Sequence, residues 1–319
     1  MSVLVTGASG FVGRALVQTL ESAGFRTKGV YHNTVPDGFV SREKNIFVGD
    51  ISADTDWSEY MRDVEIVIHL AARVHITKEW EKDPLSAFRA INTEGTVRLA
   101  RQAAENGVRR MIYLSSIKVN GELTNGRGPF SESDIPAPKD PYAISKWNAE
   151  QSLYRISQET DLETVVVRPP LIYGPGVKAN FLSMMKWLYK GVPLPLGSIH
   201  NRRSLLALDN LIDLIMLCMK HPAAKNQTFL ATDGEDLSTT DLLNQLGFQL
   251  GRPARLIPVP VCLLWAGTMM LGRKAICQRL CGSLQASAHK AYTMLGWRPP
   301  VSVTEGLART AQKYLLSLK

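Results

Sequence analysis

Cysteine is scarce in this 319-residue chain, and the four present (Cys218, Cys262, Cys277 and Cys281) form no Cys-x-x-Cys pair and have no histidine-rich neighbourhood. A zinc site and a disulfide framework are therefore not expected, no metal is assigned, and a reducing compartment, the cytoplasm, fits. Long runs of Lys or Arg are missing too, although the net charge is +8. Scattered basic charge points to an anionic small molecule and away from nucleic acid. No apolar run reaches the roughly 20 residues a spanning helix needs. The nearest, Leu256 to Gly272, is uncharged but interrupted by Pro258 and Pro260, and reads as a buried or lid helix in preference to a membrane contact. No repeat or low-complexity segment is visible. The first residues already read as a strand, so no leader peptide is expected. What remains, 45% hydrophobic and 21% charged, is the make-up of a soluble globular protein with one large domain or two fused ones.

The first half alternates strands and helices, the pattern of a parallel α/β sheet. Val3 to Thr6 is a short buried strand. Gly7-Ala8-Ser9-Gly10-Phe11-Val12-Gly13 follows it and opens a helix through Ala15, Leu16, Val17 and Leu20. Strand, glycine turn and helix in this order suit a dinucleotide pyrophosphate. Gly7 permits the turn, Gly10 the approach of the phosphates and Gly13 the packing of helix on sheet, while free N–H groups at the helix start meet the anion. A second strand over Thr27 to Tyr31 ends in Val30-Tyr31-His32-Asn33, without the carboxylate that usually holds the adenosine ribose of NAD. Arg14, His32 and Arg42 are candidate partners for a 2′-phosphate, so NAD and NADP are both expected as cofactors.

Further strands are expected over Asn45 to Val48, Glu65 to Leu70, Arg110 to Leu114 and Glu163 to Val167. Asp50 and Ile51 are candidates for the adenine. The small residues of His69-Leu70-Ala71-Ala72 would let a loop lie flat on the cofactor. One helix is expected from Pro84 to Asn106, stopped by Asn106-Gly107, with Asn92 as a polar residue beneath the site. The fifth strand ends in Ser115-Ser116, where ligands of open α/β sheets bind. Residues 121–138, rich in Gly, Pro, Ser and acids, read as a loop over the pocket. Residues 168–176 hold too much Pro and Gly for a helix. Beyond about residue 178 the alternation weakens into a smaller lobe. The domains are thus 1–177 and 178–319, with some crossing back.

The chemistry centres on Pro141-Tyr142-Ala143-Ile144-Ser145-Lys146, where Tyr142 and Lys146 lie one helical turn apart on one face. An ammonium beside a phenol should lower the phenol's pKa from about 10 and make it a proton-transfer group.

With Thr6-Gly-Ala-Ser-Gly-Phe-Val-Gly13, Ser115-Ser116 and Tyr142-x-x-x-Lys146 in sequence, nearly the whole chain resembles the extended short-chain dehydrogenase/reductase family, in particular its nucleotide-sugar epimerases, dehydratases and 4-reductases. The resemblance implies a doubly wound Rossmann sheet with a smaller C-terminal substrate-binding lobe and a UDP-sugar substrate. It makes Ser116, Tyr142 and Lys146 the catalytic set. Gly7, Gly10, Phe11, Val12, Gly13, Asp50, Ile51, Leu70, Ala71, Ala72, Asn92 and Pro169 join Tyr142 and Lys146 around the cofactor. Ser116, Asn180, Arg203 and Arg279 fall on the substrate, the last three towards its diphosphate.

Two departures narrow the activity. Ile117-Lys118 stand where sugar 4,6-dehydratases carry Asp-Glu, so dehydration is not expected. Val119-Asn120-Gly121 replaces the usual Val-Tyr-Gly, off the main UDP-glucose epimerase pattern. Arg168-Pro-Pro-Leu-Ile-Tyr-Gly-Pro-Gly176 and Asp233-Gly-Glu-Asp236 look like enzymes of bacterial surface-polysaccharide clusters. The expected reaction is hydride transfer at carbon 4, reducing a UDP-4-keto-6-deoxy-N-acetylhexosamine to UDP-N-acetylquinovosamine, or its reverse. The missing acid after Val30 favours this reductase over the alternative, a UDP-glucose or UDP-N-acetylglucosamine 4-epimerase. A non-catalytic Rossmann sensor would not be expected to keep Ser116, Tyr142 and Lys146 together. Apolar helices near 85–105 and 140–158 could form the seam of a homodimer.

Overall fold

A computed structural model describes residues 1–33, 44–74 and 83–318. Strand β1 (Ser2–Thr6) is buried along its whole length, as a strand covered on both faces must be. It leads through the glycine turn into α1 (Phe11–Ser22), whose Val12, Leu16, Val17 and Leu20 form one buried stripe. Strands β2 (Arg26–Tyr31), β3 (Lys44–Phe47) and β4 (Ile66–His69) follow. Helix α2 (Pro84–Arg89) and helix α3 (Thr96–Glu105) come next, then β5 (Arg110–Leu114), α4 (Pro141–Glu159) and β6 (Glu163–Arg168). Every pairing among these strands is parallel, in the order β3-β2-β1-β4-β5-β6. The order reverses between β1 and β4, which opens a crevice at their carboxyl ends. This is the doubly wound Rossmann arrangement.

The rest of the chain does not form a separate second half. Strand β7 (Leu171–Tyr173) and α5 (Ala179–Tyr189) start the smaller lobe, and β8 (Arg203–Ala207) pairs with β7. Helix α6 (Leu208–Lys220) then returns to the large sheet, where Leu211, Leu214 and Ile215 share a core with Leu16 and Leu20 of α1. Strand β9 (Gln227–Leu230) extends the sheet beside β6 as its seventh strand. Strand β10 (Asp236–Leu237) completes a three-stranded lobe sheet, followed by α7 (Thr239–Gln249), α8 (Val261–Met270) and α9 (Lys274–Cys281). Helix α10 (His289–Leu295) re-enters the α1/α6 core through Ala291 and Leu295, and α11 (Val303–Leu316) closes the lobe. Asp233 ties the two parts together. Its carboxylate accepts from Tyr173 Oη (2.9 Å), Ala207 N (2.8 Å) and Asn210 Nδ2 (2.7 Å).

Two expectations change. The helix expected over 84–106 is interrupted by a π-helical segment, Ala90–Gly95, with Asn92 inside it. Its wider turn accompanies a close approach. A Cβ on Gly95 would lie 2.6 Å from Ile51 Cγ2, so only glycine lets this segment rest on the loop after β3. The apolar stretch at 256–272 does contain a helix, α8, but none of its residues is buried. Val261 and Leu264 reach the lobe core, Trp265 is half-buried, and Cys262, Leu263, Ala266, Met269 and Met270 are exposed.

Candidate active site

The phosphate cradle is built from backbone. Gly7 has φ +70°, and a Cβ there would come 2.7 Å from Ala71 N. A Cβ on Gly13 would lie 2.1 Å from Gly7 O, so helix α1 approaches the turn as only glycine allows. Gly10 caps α1 without a side-chain bond, and no acid lies in its first turn. The amides of Phe11, Val12 and Gly13 therefore carry the unpaired donors and partial positive charge of a helix start. A cavity of about 410 Å³ opens in front of them, bounded by Gly7, Gly10, Asp50, Ile51, Leu70, Ala71 and Ala72. Glycine cradle, free amides and an apolar slot are what a dinucleotide needs, and the residues present fit it.

Strand β2 ends without an acid, yet a carboxylate stands at its tip. Val48 N and Gly49 N continue the β2–β3 pairing onto Tyr31 O (3.2 Å) and His32 O (3.1 Å). This draws Asp50 alongside, with its Oδ1 2.8 Å from His32 Nε2. The segment Val30 to Asn33 itself lacks a carboxylate, as the sequence reads, and Asp50, the adenine candidate, comes to its tip from the loop after β3. Arg14, the second candidate basic partner, turns its Nε to Ser9 O (2.9 Å), and Arg42 lies outside the described residues.

Beneath the crevice Thr6 Oγ1 lies 2.6 Å from His69 Nδ1, and His69 Nε2 lies 2.9 Å from Thr96 Oγ1. Burial pushes the imidazole down to about 3, helped by the charge of Lys146, so His69 is a neutral strut. Thr6 Oγ1 also accepts from Ala71 N (3.3 Å), which sets the loop that carries Leu70 and Ala72.

Helix α4 holds the centre. Pro141 opens it, and Asp140 caps it by accepting from Ala143 N at 2.7 Å. Asn92 in the π segment grips its first turn. The Asn92 amide donates to Ser145 Oγ (3.0 Å), and its oxygen accepts from Arg73 N (2.8 Å). Asn92 is thus buried and tied to both Arg73 and Ser145. Phe88 of α2 packs edge-on against the Tyr142 ring at 6.2 Å. Ser116 caps a short 3₁₀ turn, Ile117–Val119, by accepting from Lys118 N. Lys118 in turn forms an ion pair with Asp140, which fastens the Ser116 turn to the start of α4. Ile117 N donates to the carbonyl of buried Pro169 (2.9 Å), bringing the β6–β7 connection to the same place.

Tyr142 and Lys146 share a helix face, but the expected electrostatic effect is reversed in the free protein. Burial, and then the charge of Asp140, push the Tyr142 phenol above its usual value. Lys146 Nζ donates to Leu114 O at 2.9 Å and sits 6.0 Å from the Tyr142 ring centroid, nearer to that of Tyr113 at 4.5 Å. Burial also brings Lys146 down to about 7, against the opposing charge of Glu150. The cation is held by the strand tip because a buried ammonium must find an acceptor.

Sequence reasoning missed Glu150, although it repeats the spacing of Tyr142 and Lys146 one turn further on. Its buried carboxylate accepts from Ser115 Oγ and from Arg168 Nε (3.0 Å), and Arg168 Nη1 donates to Asn120 Oδ1 (2.9 Å). This network clamps α4 to the ends of β5 and β6.

In the smaller lobe, Arg203 Nη1 donates to Gly282 O (2.9 Å) at the end of α9, whose last turn holds Arg279. Arg279 is exposed, and its Nε donates to Ala275 O (3.2 Å). Asn180 is exposed in the first turn of α5. Among the described residues no hydrogen bond joins either arginine or Asn180 to Ser116, Tyr142 or Lys146. All four cysteines are free, and among the described residues no cluster of three or more His, Cys, Asp or Glu could hold a metal ion.

Comparison with known proteins agrees with this geometry. The model of the NAD dependent epimerase/dehydratase family matches residues 3–231. A UDP-glucose 4-epimerase of Vibrio cholerae is 43% identical over 317 residues, covering 98% of this chain and 95% of its own. An N-acetyl-alpha-D-glucosaminyl-diphospho-ditrans,octacis-undecaprenol 4-epimerase of Escherichia coli O157:H7 is 25% identical, over 98% of this chain and 94% of its own. Among solved structures, a UDP-glucuronic acid 4-epimerase from Bacillus cereus in complex with NAD superposes with a TM-score of 0.80 over the whole of both chains at 22% identity, a likeness of fold.

Proposed function

The chain belongs to the NAD dependent epimerase/dehydratase family, and on that footing we propose that it is a UDP-sugar 4-epimerase using NAD held at the glycine turn. When bound, the dinucleotide supplies a hydride acceptor and donor at its nicotinamide, positively charged in the oxidised form. The residues of the chain do the rest. Tyr142 takes the proton of the sugar's 4-hydroxyl as the carbon-bound hydrogen leaves, and returns it after the sugar has turned its other face. Ser116 hydrogen-bonds the same oxygen. Lys146, fixed by Leu114, binds the nicotinamide ribose. The positive ring and Lys146 together oppose the burial that holds the Tyr142 phenol protonated in the free protein. Arg203, Arg279 and Asn180 serve the diphosphate.

The observation that carries epimerase over reductase is the position of Asp50. A carboxylate 2.8 Å from His32, at the tip of β2, suits the free ribose hydroxyls of NAD and opposes a 2′-phosphate. The preference for a reductase exchanging NAD(P)H at every turnover rests on the lack of such an acid. The Vibrio relative points the same way. Reduction of a UDP-4-keto-6-deoxy-N-acetylhexosamine to UDP-N-acetylquinovosamine uses the same side chains and is the competing reading. Homodimer formation through α3 and α4, a cytoplasmic location and service in surface-polysaccharide synthesis complete the proposal.

Purified protein incubated with UDP-glucose, and separately with UDP-N-acetylglucosamine, tests it. Conversion to the galacto epimer without added nicotinamide, with NAD released on denaturation, is expected. Turnover only when NADH or NADPH is supplied to a 4-keto sugar would replace the epimerase by the reductase.

A further inference from the structure

Helix α8 is inverted with respect to a surface helix. Its ten residues, Val261–Met270, include no charged side chain. Val261 and Leu264 face the lobe core, while Cys262, Leu263, Ala266, Met269 and Met270, spaced three and four apart, face outward. Leu263 is 60% exposed, Met269 63%, Met270 89% and the following Leu271 73%. An ordinary amphipathic helix would place polar groups there.

The sequence on either side of the helix carries one sign of charge. Residues 242–304 contain no aspartate or glutamate and seven Lys or Arg, which leaves the rest of the chain nearly neutral. Arg252 and Arg255 precede the helix and Arg273 and Arg279 follow it, all exposed. Two occupants could cover an apolar face of this kind, a second copy of the chain or a lipid surface. A two-fold contact would set the same basic segment, free of acids of its own, against itself. An anionic bilayer offers both hydrocarbon and negative headgroups. Ten residues span about 15 Å of helix axis, too short to cross a bilayer but suited to lying in its interface. Among the described residues no helix is long and apolar enough to cross.

We propose that the outer face of α8, with its basic flanks, docks this protein on the surface of an anionic membrane. Leu263, Met269, Met270 and Leu271 enter the headgroup boundary, and Arg255 and Arg273 meet the phosphates. The smaller lobe is thereby turned to the lipid. This proposal stands apart from the choice between epimerase and reductase, because its readout is lipid binding.

Flotation of the full chain with vesicles tests it. Binding is expected to phosphatidylcholine vesicles containing about 30% phosphatidylglycerol, not to pure phosphatidylcholine, and to weaken severalfold at about 0.5 M salt. The double variant Leu263→Glu/Met270→Glu should lose binding by about tenfold or more, since two carboxylates are carried towards the headgroups. Its unfolding midpoint and its turnover of a soluble UDP-sugar should stay at the parent's values. If that variant fails to fold, Arg273→Glu, exposed and outside α8, should still weaken anionic binding. Absence of binding, or equal binding to neutral vesicles, would overturn the proposal. So would a parent dimer that the double variant converts to monomer without any vesicle binding, which would assign the face to a second copy.

Discussion

Tyr142→Phe is expected to lower kcat by about 10²–10⁴-fold while the protein keeps its fold and its NAD, because in the proposed mechanism the lost group is the one that carries the proton. The variant removes a single oxygen from a half-buried ring whose packing against Phe88 is unchanged. A phenylalanine loses neither the edge contact nor the bonds of Asn92 and Ser145 that place the helix. Steady-state turnover, with bound NAD counted after denaturation, separates the two possibilities. Lost turnover with retained NAD is the signature of a missing acid/base. Loss of both would make Tyr142 a structural residue. Burial raises the phenol in the free protein, so the account also requires ligand binding to bring it down. Titration of the tyrosine absorbance should show an ionisation in the complex that is shifted to lower pH from that of the free enzyme.

The second large effect concerns stability. Arg168→Met leaves the Glu150 carboxylate buried with Ser115 as its remaining side-chain donor. Breaking one partner of a buried pair typically costs about 3–5 kcal/mol. The thermal midpoint should fall by on the order of 10 °C. Both side chains are only 4% exposed, so solvent screening does little to reduce this. Glu150→Leu combined with Arg168→Met should recover more than half of the loss, since a buried ion pair exchanged for apolar groups of similar volume is often near neutral. Denaturation of the two variants side by side checks both statements. Equal midpoints for the single variant and the parent would show that the network does not clamp α4 to the strand tips.

What could be read from the sequence was what short-range periodicity encodes. The strand, glycine turn and helix at the N-terminus, and the Tyr142/Lys146 spacing, are local patterns, and the structure places them as the pattern requires. The parts that were not legible depend on contacts distant in sequence. Asp50 reaches the tip of β2 only because β3 pairs in one register with it, so no inspection of Val30 to Asn33 could have supplied the acid. The direction of the Tyr142 shift depends on how deeply α4 is buried and on where Lys146 finds an acceptor. The π segment coincides with the close approach of Gly95 to Ile51, which a continuous apolar pattern conceals. An uncharged helix reads as buried because hydropathy reports composition and not which neighbour covers it, and α8 is covered on one side only. Glu150 was legible in principle. It continues the four-residue repeat of Tyr142 and Lys146, and its partner Arg168 ends the adjacent strand. Arg203 bonds Gly282 at the end of the helix that carries Arg279, whereas their joint action with Asn180 on a diphosphate rests on the family resemblance.

The fate of a label on carbon 4 tests the central claim most directly. UDP-glucose carrying deuterium at that carbon, turned over by the purified protein in ordinary water, should yield an epimer with the deuterium still on carbon 4, together with slower turnover than the unlabelled sugar. Retention follows because the hydrogen moves as a hydride to the bound nicotinamide and back, while Tyr142 handles only the oxygen's proton. Epimerised product with the deuterium exchanged into water would mean that the carbon is deprotonated, and would contradict the roles given to Tyr142, Ser116 and the glycine cradle.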